Sequence, residues 1–129
     1  MIILDTHVPV WLRREPRKLS SAAASAIRRA SVTDALAISA ITVVELAGLL
    51  NSGRLRGPAS IPATLSQLVE DVEVLPVTLA IAIQSAALPS DFPLDPLDRI
   101  IAATAQVQGV PLVTADQRIL GCASIKTIW

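Results

Sequence analysis

The sequence predicts an α/β protein, a three-layer α/β/α sandwich around a central, mostly parallel sheet. Short and continuously apolar runs, such as Ile2–Leu4, are typical of strands that are buried on both faces. These runs alternate along the chain with stretches of helical periodicity, an order typical of strand–helix–strand units. The chain of 129 residues contains no internal repeat and no dividing linker, so we expect a single domain over residues 1–129.

The first half of the chain contains two predicted strands and four predicted helices. We expect strands at residues 2–4 and 36–39, and helices at residues 6–14, 22–30, 42–50 and 62–72. Thr6, Ser20 and Thr42 stand at the starts of three of these helices, where a side-chain oxygen can accept a hydrogen bond from a free backbone amide. Asn51 and Gly53 follow the third helix, as is typical of helix ends.

The second half of the chain continues the same alternation. We expect strands at residues 74–77, 112–113 and 125–128, helices at residues 78–88 and 95–108, and a helical turn at residues 116–120. A proline-rich loop precedes Asp95-Pro96, which opens the long helix that ends before Gly109. The helix at residues 78–88 is nearly all apolar, so we expect it to be buried.

The composition excludes several classes of protein. Eleven basic residues balance eleven acidic ones, which excludes a simple polycationic nucleic-acid binder. The single cysteine, Cys122, allows neither an internal disulfide nor a cysteine-rich zinc site, and a reducing compartment is the default. The first residues do not resemble a secretory signal, and no apolar run is long enough to span a membrane. We therefore expect a soluble, cytoplasmic protein, and the mean hydropathy of +0.57 indicates apolar surface that a partner covers.

Four acidic residues follow predicted strands or begin the next helix. Because the carboxyl ends of parallel strands meet at one edge of a sheet, we expect Asp5, Glu45, Asp98 and Asp116 to converge there, with Asp95 as a fifth member. Clustered carboxylates repel one another unless some are protonated or a cation lies among them. Ligands that are all oxygen favour Mg²⁺ or Mn²⁺. Such a site suits the hydrolysis of phosphodiesters.

Each of these acids also has a structural interpretation. Asp5 and Asp116 are suitable residues for the start of a helix. Glu45 forms a capping-box pattern with Thr42. The sequence Asp95-Pro96-Leu97-Asp98 fits a helix cap followed by an acid that faces the helix dipole. The joint placement of the acids at one end of the sheet favours a functional site over these separate structural roles.

Several other residues have two interpretations each. His7 either contacts a substrate beside Asp5 or is incidental. The Thr114 hydroxyl either holds a carboxylate or a metal-bound water, or makes a hydrogen bond at a strand end. Arg99 and Arg118 either contact phosphates or pair with the neighbouring acids. The basic stretch of residues 13–18 either contacts the RNA backbone or is a solvated loop.

Five segments together resemble a known family. They are Leu4-Asp-Thr-His7, Ile38-Ser-Ala-Ile-Thr-Val-Val-Glu45, Phe92-Pro-Leu-Asp-Pro-Leu-Asp-Arg-Ile-Ile-Ala-Ala-Thr-Ala105, Pro111-Leu-Val-Thr-Ala-Asp116 and Thr127-Ile-Trp129. In this order and at these spacings the chain resembles the PIN-domain ribonucleases, specifically the VapC toxins of type II toxin–antitoxin pairs. The resemblance covers residues 2–129.

The resemblance implies an endoribonuclease dependent on Mg²⁺ or Mn²⁺, with a homodimeric state and a cognate antitoxin that covers the site. Its acidic residues are carried over as Asp5, Glu45, Asp98 and Asp116, and Thr114 matches the hydroxyl position before the last acid. Asp5, Asp98 and Asp116 would bind metal, whereas Glu45 would be a further ligand or would orient the attacking water. Asp95 corresponds to the extra acid of a subgroup and ranks below Asp98.

Three other interpretations are weighed against this one. A phosphatase of the haloacid-dehalogenase type requires Asp-x-Asp after the first strand and a well-placed lysine, whereas this chain has Asp5-Thr6-His7 and only two lysines. A phospho-receiver domain requires a different spacing of acids. The third is a catalytically silent PIN-like scaffold that binds RNA or a partner without cutting, and the complete set of acids argues against it.

Overall fold

The computed structural model describes all residues from Met1 to Trp129. Five strands form the sheet: β1 (Ile2–Leu4), β2 (Leu36–Ser39), β3 (Glu73–Leu75), β4 (Leu112–Val113) and β5 (Thr127–Ile128). Seven α-helices surround it: α1 (His7–Arg14), α2 (Ser21–Ser31), α3 (Ala40–Asn51), α4 (Ile61–Leu68), α5 (Leu79–Ala87), α6 (Pro96–Gln108) and α7 (Gln117–Leu120). A short 3₁₀ helix, Pro16–Lys18, follows α1. None of these helices combines the length and the apolar character that crossing a membrane would require.

The sheet confirms the predicted parallel arrangement. Its strand order is β3-β2-β1-β4-β5, and every neighbouring pair runs parallel. Ile3 of the central strand aligns with Ala37 on one side and with Leu112 on the other. The chain therefore leaves β1, β2 and β4 at the same edge of the sheet, which is the edge where the predicted acids follow.

Alternating side chains of the strands form two hydrophobic cores, one on each face of the sheet. Ile3 faces a core formed with α6, α7 and the loop after α5, whereas Ile2 and Leu4 face a core formed with α1 and α2. Because successive side chains of a strand point to opposite faces, a fully apolar strand requires a helical layer on each side. The three-layer α/β/α fold predicted from the sequence is confirmed.

Some element boundaries differ from the prediction because local signals are ambiguous. Helix α3 begins at Ala40, with Ser39 as the N-cap residue whose hydroxyl accepts a hydrogen bond from the Ile41 amide, so Thr42 lies inside the helix. Helix α4 ends at Leu68 rather than at residue 72. The chain then turns through Asp71, which has a positive φ of 61°, and enters β3.

The prediction that the helix at residues 78–88 is buried is wrong. In α5 only Ile81 is fully buried, whereas Leu79 is 78% exposed and Ile83 is 61% exposed. The helix packs against α6, beside an edge of the sheet where Glu73 and Val74 are themselves exposed. Apolar composition does not fix burial here, because no further layer covers the outer face of α5.

Candidate active site

A cleft of about 270 Å³ opens at the carboxyl edge of the sheet. Four carboxylates line it, those of Asp5, Glu45, Asp98 and Asp116. The other lining residues are Thr6, His7, Val10, Trp11, Leu46, Leu49, Arg54 and Leu55. The structure thus brings together four acids from β1, α3, α6 and the segment after β4, as expected from a parallel sheet.

Asp5 is the most deeply placed of the four acids, with an exposure of only 4%. Its Oδ1 accepts a hydrogen bond from the Thr6 amide at 2.8 Å. Its Oδ2 accepts one from the Thr114 hydroxyl at 2.6 Å. Thr114 in turn accepts a hydrogen bond from the Asp116 amide at 3.0 Å. Thr114 therefore holds the carboxylate of one acid and the backbone of another, so the structure shows both the carboxylate contact and the strand-end hydrogen bond that the sequence allowed.

Glu45 does not take part in the predicted capping box. Since Thr42 lies inside α3, no free cap amide is available to Glu45, and its Oε2 instead accepts a hydrogen bond from the Thr6 hydroxyl at 2.6 Å. Thr6, in turn, makes no side-chain cap for α1, contrary to the prediction. The contact joins residues 39 positions apart in the sequence, so no local pattern could have revealed it. It orients Glu45 toward the other acids.

Asp95 and Asp98 lie at the start of α6 and have different roles. Asp95 is exposed, and its Oδ1 caps the helix by accepting a hydrogen bond from the Leu97 amide at 2.8 Å, so its structural interpretation is confirmed. Asp98 faces the cleft with a side chain that is only 18% exposed. Burial, reinforced by the carboxylates of Asp5 and Asp95, raises the pKa of Asp98 to about 6, although Arg118 opposes this rise.

Asp116 is held by Arg118. The guanidinium donates from Nη2 to Oδ2 at 2.6 Å and from Nε to Oδ1 at 3.1 Å, and these bonds lower the pKa of Asp116. The same Nη2 lies 3.5 Å from Oδ2 of Asp98. The predicted ion pairing of Arg118 with the neighbouring acids is therefore confirmed. Asp116 also caps α7, since its Oδ1 accepts a hydrogen bond from the Arg118 amide at 2.9 Å.

His7 packs beside the acids in its neutral form. Its Nε2 accepts a hydrogen bond from the Ala115 amide at 3.1 Å, so the ring proton is on Nδ1, which lies 3.7 Å from Oδ2 of Asp5. Burial lowers the pKa of His7 despite the nearby carboxylates. The ring also contacts Trp11, at a centroid distance of 4.6 Å. With Nε2 occupied, His7 supports the site and has no free base nitrogen.

Arg99 has neither of its predicted roles. Its guanidinium donates to the backbone carbonyls of Ser85, Leu88 and Pro93, at 3.0, 2.9 and 3.4 Å. These bonds fasten the proline-rich loop to the end of α5, because the last carbonyls of a helix lack partners within it. The side chain pairs with no acid and does not line the cleft.

The sequence analysis did not assign several of the lining residues to the site, among them Trp11 and Arg54. Trp11 forms part of the cleft wall and packs against Trp129 at a centroid distance of 5.8 Å. Arg54 is the only arginine or lysine among the residues that line the cleft. It comes from the connection between α3 and α4, where the sequence shows only a turn. A helix at residues 42–50 followed by Gly53 predicts the turn but gives no indication of its position over the cleft.

Comparisons with known proteins agree with this arrangement. The chain matches the family model "PIN domain" over residues 2–123. It is 43% identical to Ribonuclease VapC22 of Mycobacterium tuberculosis over 118 residues, 92% of this chain and 88% of that protein. In fold it is similar to VapBC2 from Rickettsia felis in a complex with promoter DNA (TM-score 0.74, 16% identity, 98% of this chain and 97% of that one). It is also similar to DNA-bound VapBC from Salmonella typhimurium (TM-score 0.73, 20% identity, 98% and 95%). The chain therefore belongs to the PIN-domain family and, within it, to the VapC proteins.

Proposed function

We propose that this protein is an endoribonuclease that hydrolyses RNA phosphodiester bonds and acts as the toxin of a toxin–antitoxin pair in the cytoplasm. The observation that carries the proposal is the convergence of Asp5, Glu45, Asp98 and Asp116 on one cleft. The 43% identity to a ribonuclease over most of the chain supports the choice of RNA as the substrate.

The proposal includes a divalent metal ion, Mg²⁺ or Mn²⁺, at the acidic end of the cleft. The donor chemistry fits, because all the candidate ligands are carboxylate oxygens. The raised pKa of Asp98 reflects burial and carboxylate repulsion, and a cation would offset the repulsion. No group of three acidic, histidine or cysteine side chains is arranged to hold a metal ion directly. A Mg²⁺ ion here would bind one or two of the carboxylates directly and would contact the others through its waters.

The roles of the residues follow from their present contacts. Asp5, Asp98 and Asp116 would hold the ion, directly or through its waters, and the ion would lower the pKa of a bound water and offset charge on the phosphate. Thr6 occupies one oxygen of Glu45 and leaves the other free to orient the attacking water and accept its proton. Thr114 fixes Asp5. His7 is excluded as a general base because its Nε2 already accepts a hydrogen bond.

A cognate antitoxin and a second copy of the chain are the proposed partners. The solved structures that share this fold include VapBC complexes and a toxin–antitoxin complex from Klebsiella pneumoniae, which supports an antitoxin. The exposed apolar side chains of Leu79 and Ile83 on α5 support burial against another chain. Size-exclusion chromatography with light scattering tests the homodimer directly, and a monomer at micromolar concentration would contradict it.

Incubation of the purified protein with structured and unstructured RNAs tests the activity. We expect cleavage in Mg²⁺ or Mn²⁺ and none in EDTA, and we expect Asp98→Asn to abolish cleavage. Asp34→Asn serves as a control, because Asp34 is an exposed acid that precedes β2 at the opposite end of the sheet. Cleavage that persists in EDTA would contradict the metal-dependent mechanism. Binding of RNA without cleavage in either metal would establish the silent scaffold instead.

A further inference from the structure

The basic residues of this neutral chain are concentrated beside the cleft. Six of the eleven basic residues lie in two segments, residues 13–18 and 54–56, whereas only one of the eleven acids, Glu15, lies there. All six basic side chains belong to exposed residues. We call five of them the basic rim: Arg14, Arg17, Lys18, Arg54 and Arg56. Arg13 is left out because its guanidinium is held at the segment before β3, where it pairs with Asp71 at 3.6 Å and donates a hydrogen bond to the Glu70 carbonyl.

The two segments of the basic rim meet in space although about forty residues separate them in the sequence. The Arg14 guanidinium at the end of α1 donates a hydrogen bond to the Arg56 carbonyl in the connection between α3 and α4. The Lys18 ammonium lies 5.6 Å from the centre of the Trp11 ring, and Trp11 lines the cleft. Arg54 lines the cleft itself. The two segments therefore lie together at the side of the cleft that Trp11 and Arg54 line.

Most of the rim charges are not used within the protein. Arg14, Arg17, Arg54 and Arg56 take part in none of its ion pairs. The side chains of Arg17, Arg54 and Arg56 also make no hydrogen bond within the chain, while Lys18 pairs with the exposed Glu15 at 3.0 Å. Unpaired cations of this kind raise the local concentration of a polyanion and steer it to the site.

The cleft wall beside Arg54 is apolar and is lined by Val10, Trp11, Leu46, Leu49 and Leu55. A cation next to an apolar and partly aromatic wall offers contacts to both parts of an unpaired nucleotide, its phosphate and its base. An acidic peptide would use both the cations and the wall only where apolar side chains alternate with its acids, whereas every unpaired nucleotide carries a phosphate and a base. The combination favours single-stranded RNA over an acidic polypeptide.

We propose that the basic rim binds the sugar–phosphate backbone of single-stranded RNA next to the bond that is cut, with Arg54 as the contact closest to the acids. This inference rests on the proposed ribonuclease function and adds the direction from which the RNA enters. Arg54 and its neighbours are positioning residues, since they lie outside the acidic end of the cleft. Their loss weakens the binding of RNA and leaves the chemical step intact.

The test compares two matched double variants of the full chain. Arg17→Gln with Arg54→Gln removes two rim charges whose side chains make no internal hydrogen bond. Arg28→Gln with Lys126→Gln removes two exposed charges elsewhere, on α2 and before β5. A fluorescein-labelled single-stranded RNA is titrated in EDTA, where no cutting is expected, and its fluorescence anisotropy is followed at several NaCl concentrations.

We expect the rim variant to bind RNA about ten- to thirtyfold more weakly at 0.1 M salt. Its plot of log K against log salt should also be shallower by about 1.4, because each lost phosphate contact on a single strand removes about 0.7 from the slope. The control variant should match the wild type. In Mg²⁺ the rim variant should show a raised KM for cleavage with kcat within about twofold. Equal slopes and affinities for the two variants would overturn the inference.

Two further outcomes separate this inference from the proposed function. If the protein cuts RNA and the rim variant keeps the wild-type KM, the function stands and the rim inference fails. If the protein never cuts RNA but the rim variant loses its affinity for RNA, the rim inference stands and the nuclease proposal fails. Competition by polyglutamate as strong as by RNA of equal charge would overturn the assignment to RNA and identify an acidic polypeptide as the partner.

Discussion

The hydroxyl of Thr114 lies 2.6 Å from the carboxylate of Asp5, although 109 positions separate the two residues in the sequence. The contact crosses from the end of β4 to the end of β1, which are neighbours in the sheet. Through its second hydrogen bond, from the Asp116 amide, Thr114 also places the last acid of the chain. One buried side chain thus sets the distance between two proposed metal ligands.

Replacement of Thr114 by valine should weaken divalent-ion binding about ten- to a hundredfold, the usual effect of losing a residue that orients a ligand. It should also lower the free energy of unfolding by about 1–3 kcal/mol, because a buried carboxylate oxygen loses its donor. Titration with Mn²⁺ followed by electron paramagnetic resonance, together with urea unfolding, measures both. Thr114→Ser keeps the hydroxyl and should retain most of the affinity. An unchanged affinity in Thr114→Val would show that Asp5 needs no such support.

Asp98→Asn should stabilise the metal-free protein at pH 7. Since the pKa of Asp98 is raised to about 6 in the folded state and is near 4 in the unfolded chain, ionisation of Asp98 opposes folding. That cost is absent below about pH 4, accumulates as the pH rises to about 6 and is complete above it, with an upper limit of about 3 kcal/mol. Thermal unfolding in EDTA from pH 4 to 8 should therefore show a stability gain that appears only above pH 4.

Asp34→Asn provides the comparison for that experiment, because Asp34 is exposed and has a positive φ of 49°, a conformation that asparagine tolerates. It should leave the pH dependence unchanged. If the Asp98→Asn variant is less stable than the wild type at pH 7, the Asp98 carboxylate stabilises the fold more than repulsion from the neighbouring carboxylates destabilises it, which would contradict this prediction.

Asp5→Asn disturbs buried hydrogen bonds in addition to removing a charge, whereas Asp98→Asn mainly removes a charge. Both Asp5 oxygens accept hydrogen bonds from buried donors, and an asparagine amide replaces one acceptor by a donor. Relief of carboxylate repulsion therefore dominates the outcome for Asp98→Asn, whereas lost hydrogen bonds oppose it in Asp5→Asn. We expect Asp5→Asn to unfold at a lower urea concentration than Asp98→Asn, and the reverse order would contradict these contacts.

Arg118→Gln should tighten divalent-ion binding by about two- to fivefold. The guanidinium of Arg118 contacts both Asp116 and Asp98, so an ion at these carboxylates must displace or repel it. The effect is small because the Arg118 side chain is 66% exposed and exposed ion pairs are weak. Arg28→Gln on α2 removes the same charge away from the cleft and should leave the Mn²⁺ affinity unchanged. Weaker binding in Arg118→Gln than in Arg28→Gln would indicate that Arg118 helps to arrange the ligands.

The sequence predicts the layers of this protein and the location of its acids for a simple reason. Strands such as Ile2–Leu4 are apolar at every position, which requires helices on both faces, and a parallel sheet brings the residues after its strands to one edge. Asp5, Asp98 and Asp116 are therefore placed by chain order alone. Each of them lies directly after a strand or at the start of a helix, where local rules apply.

The residues that sequence analysis misjudged depend on contacts between distant segments. The sequence fits a capping box formed by Thr42 and Glu45. In the structure, however, Ser39 caps α3 and the Thr6 hydroxyl donates a hydrogen bond to Glu45. Arg99 follows Asp98 directly but turns away to the end of α5. Arg54 reaches the cleft only because the connection after α3 folds over it. Contacts between segments that are far apart in the sequence cannot be predicted from periodicity or from a local motif.

The position of Mn²⁺ in crystals of the protein, located by its anomalous scattering, tests the central claim most directly. We predict an ion at the acidic end of the cleft, bound to carboxylate oxygens from at least two of Asp5, Asp98 and Asp116 and lost in crystals of Asp98→Asn. The absence of an ion from the cleft at millimolar Mn²⁺, or an ion bound elsewhere while RNA is still being cut, would contradict the account.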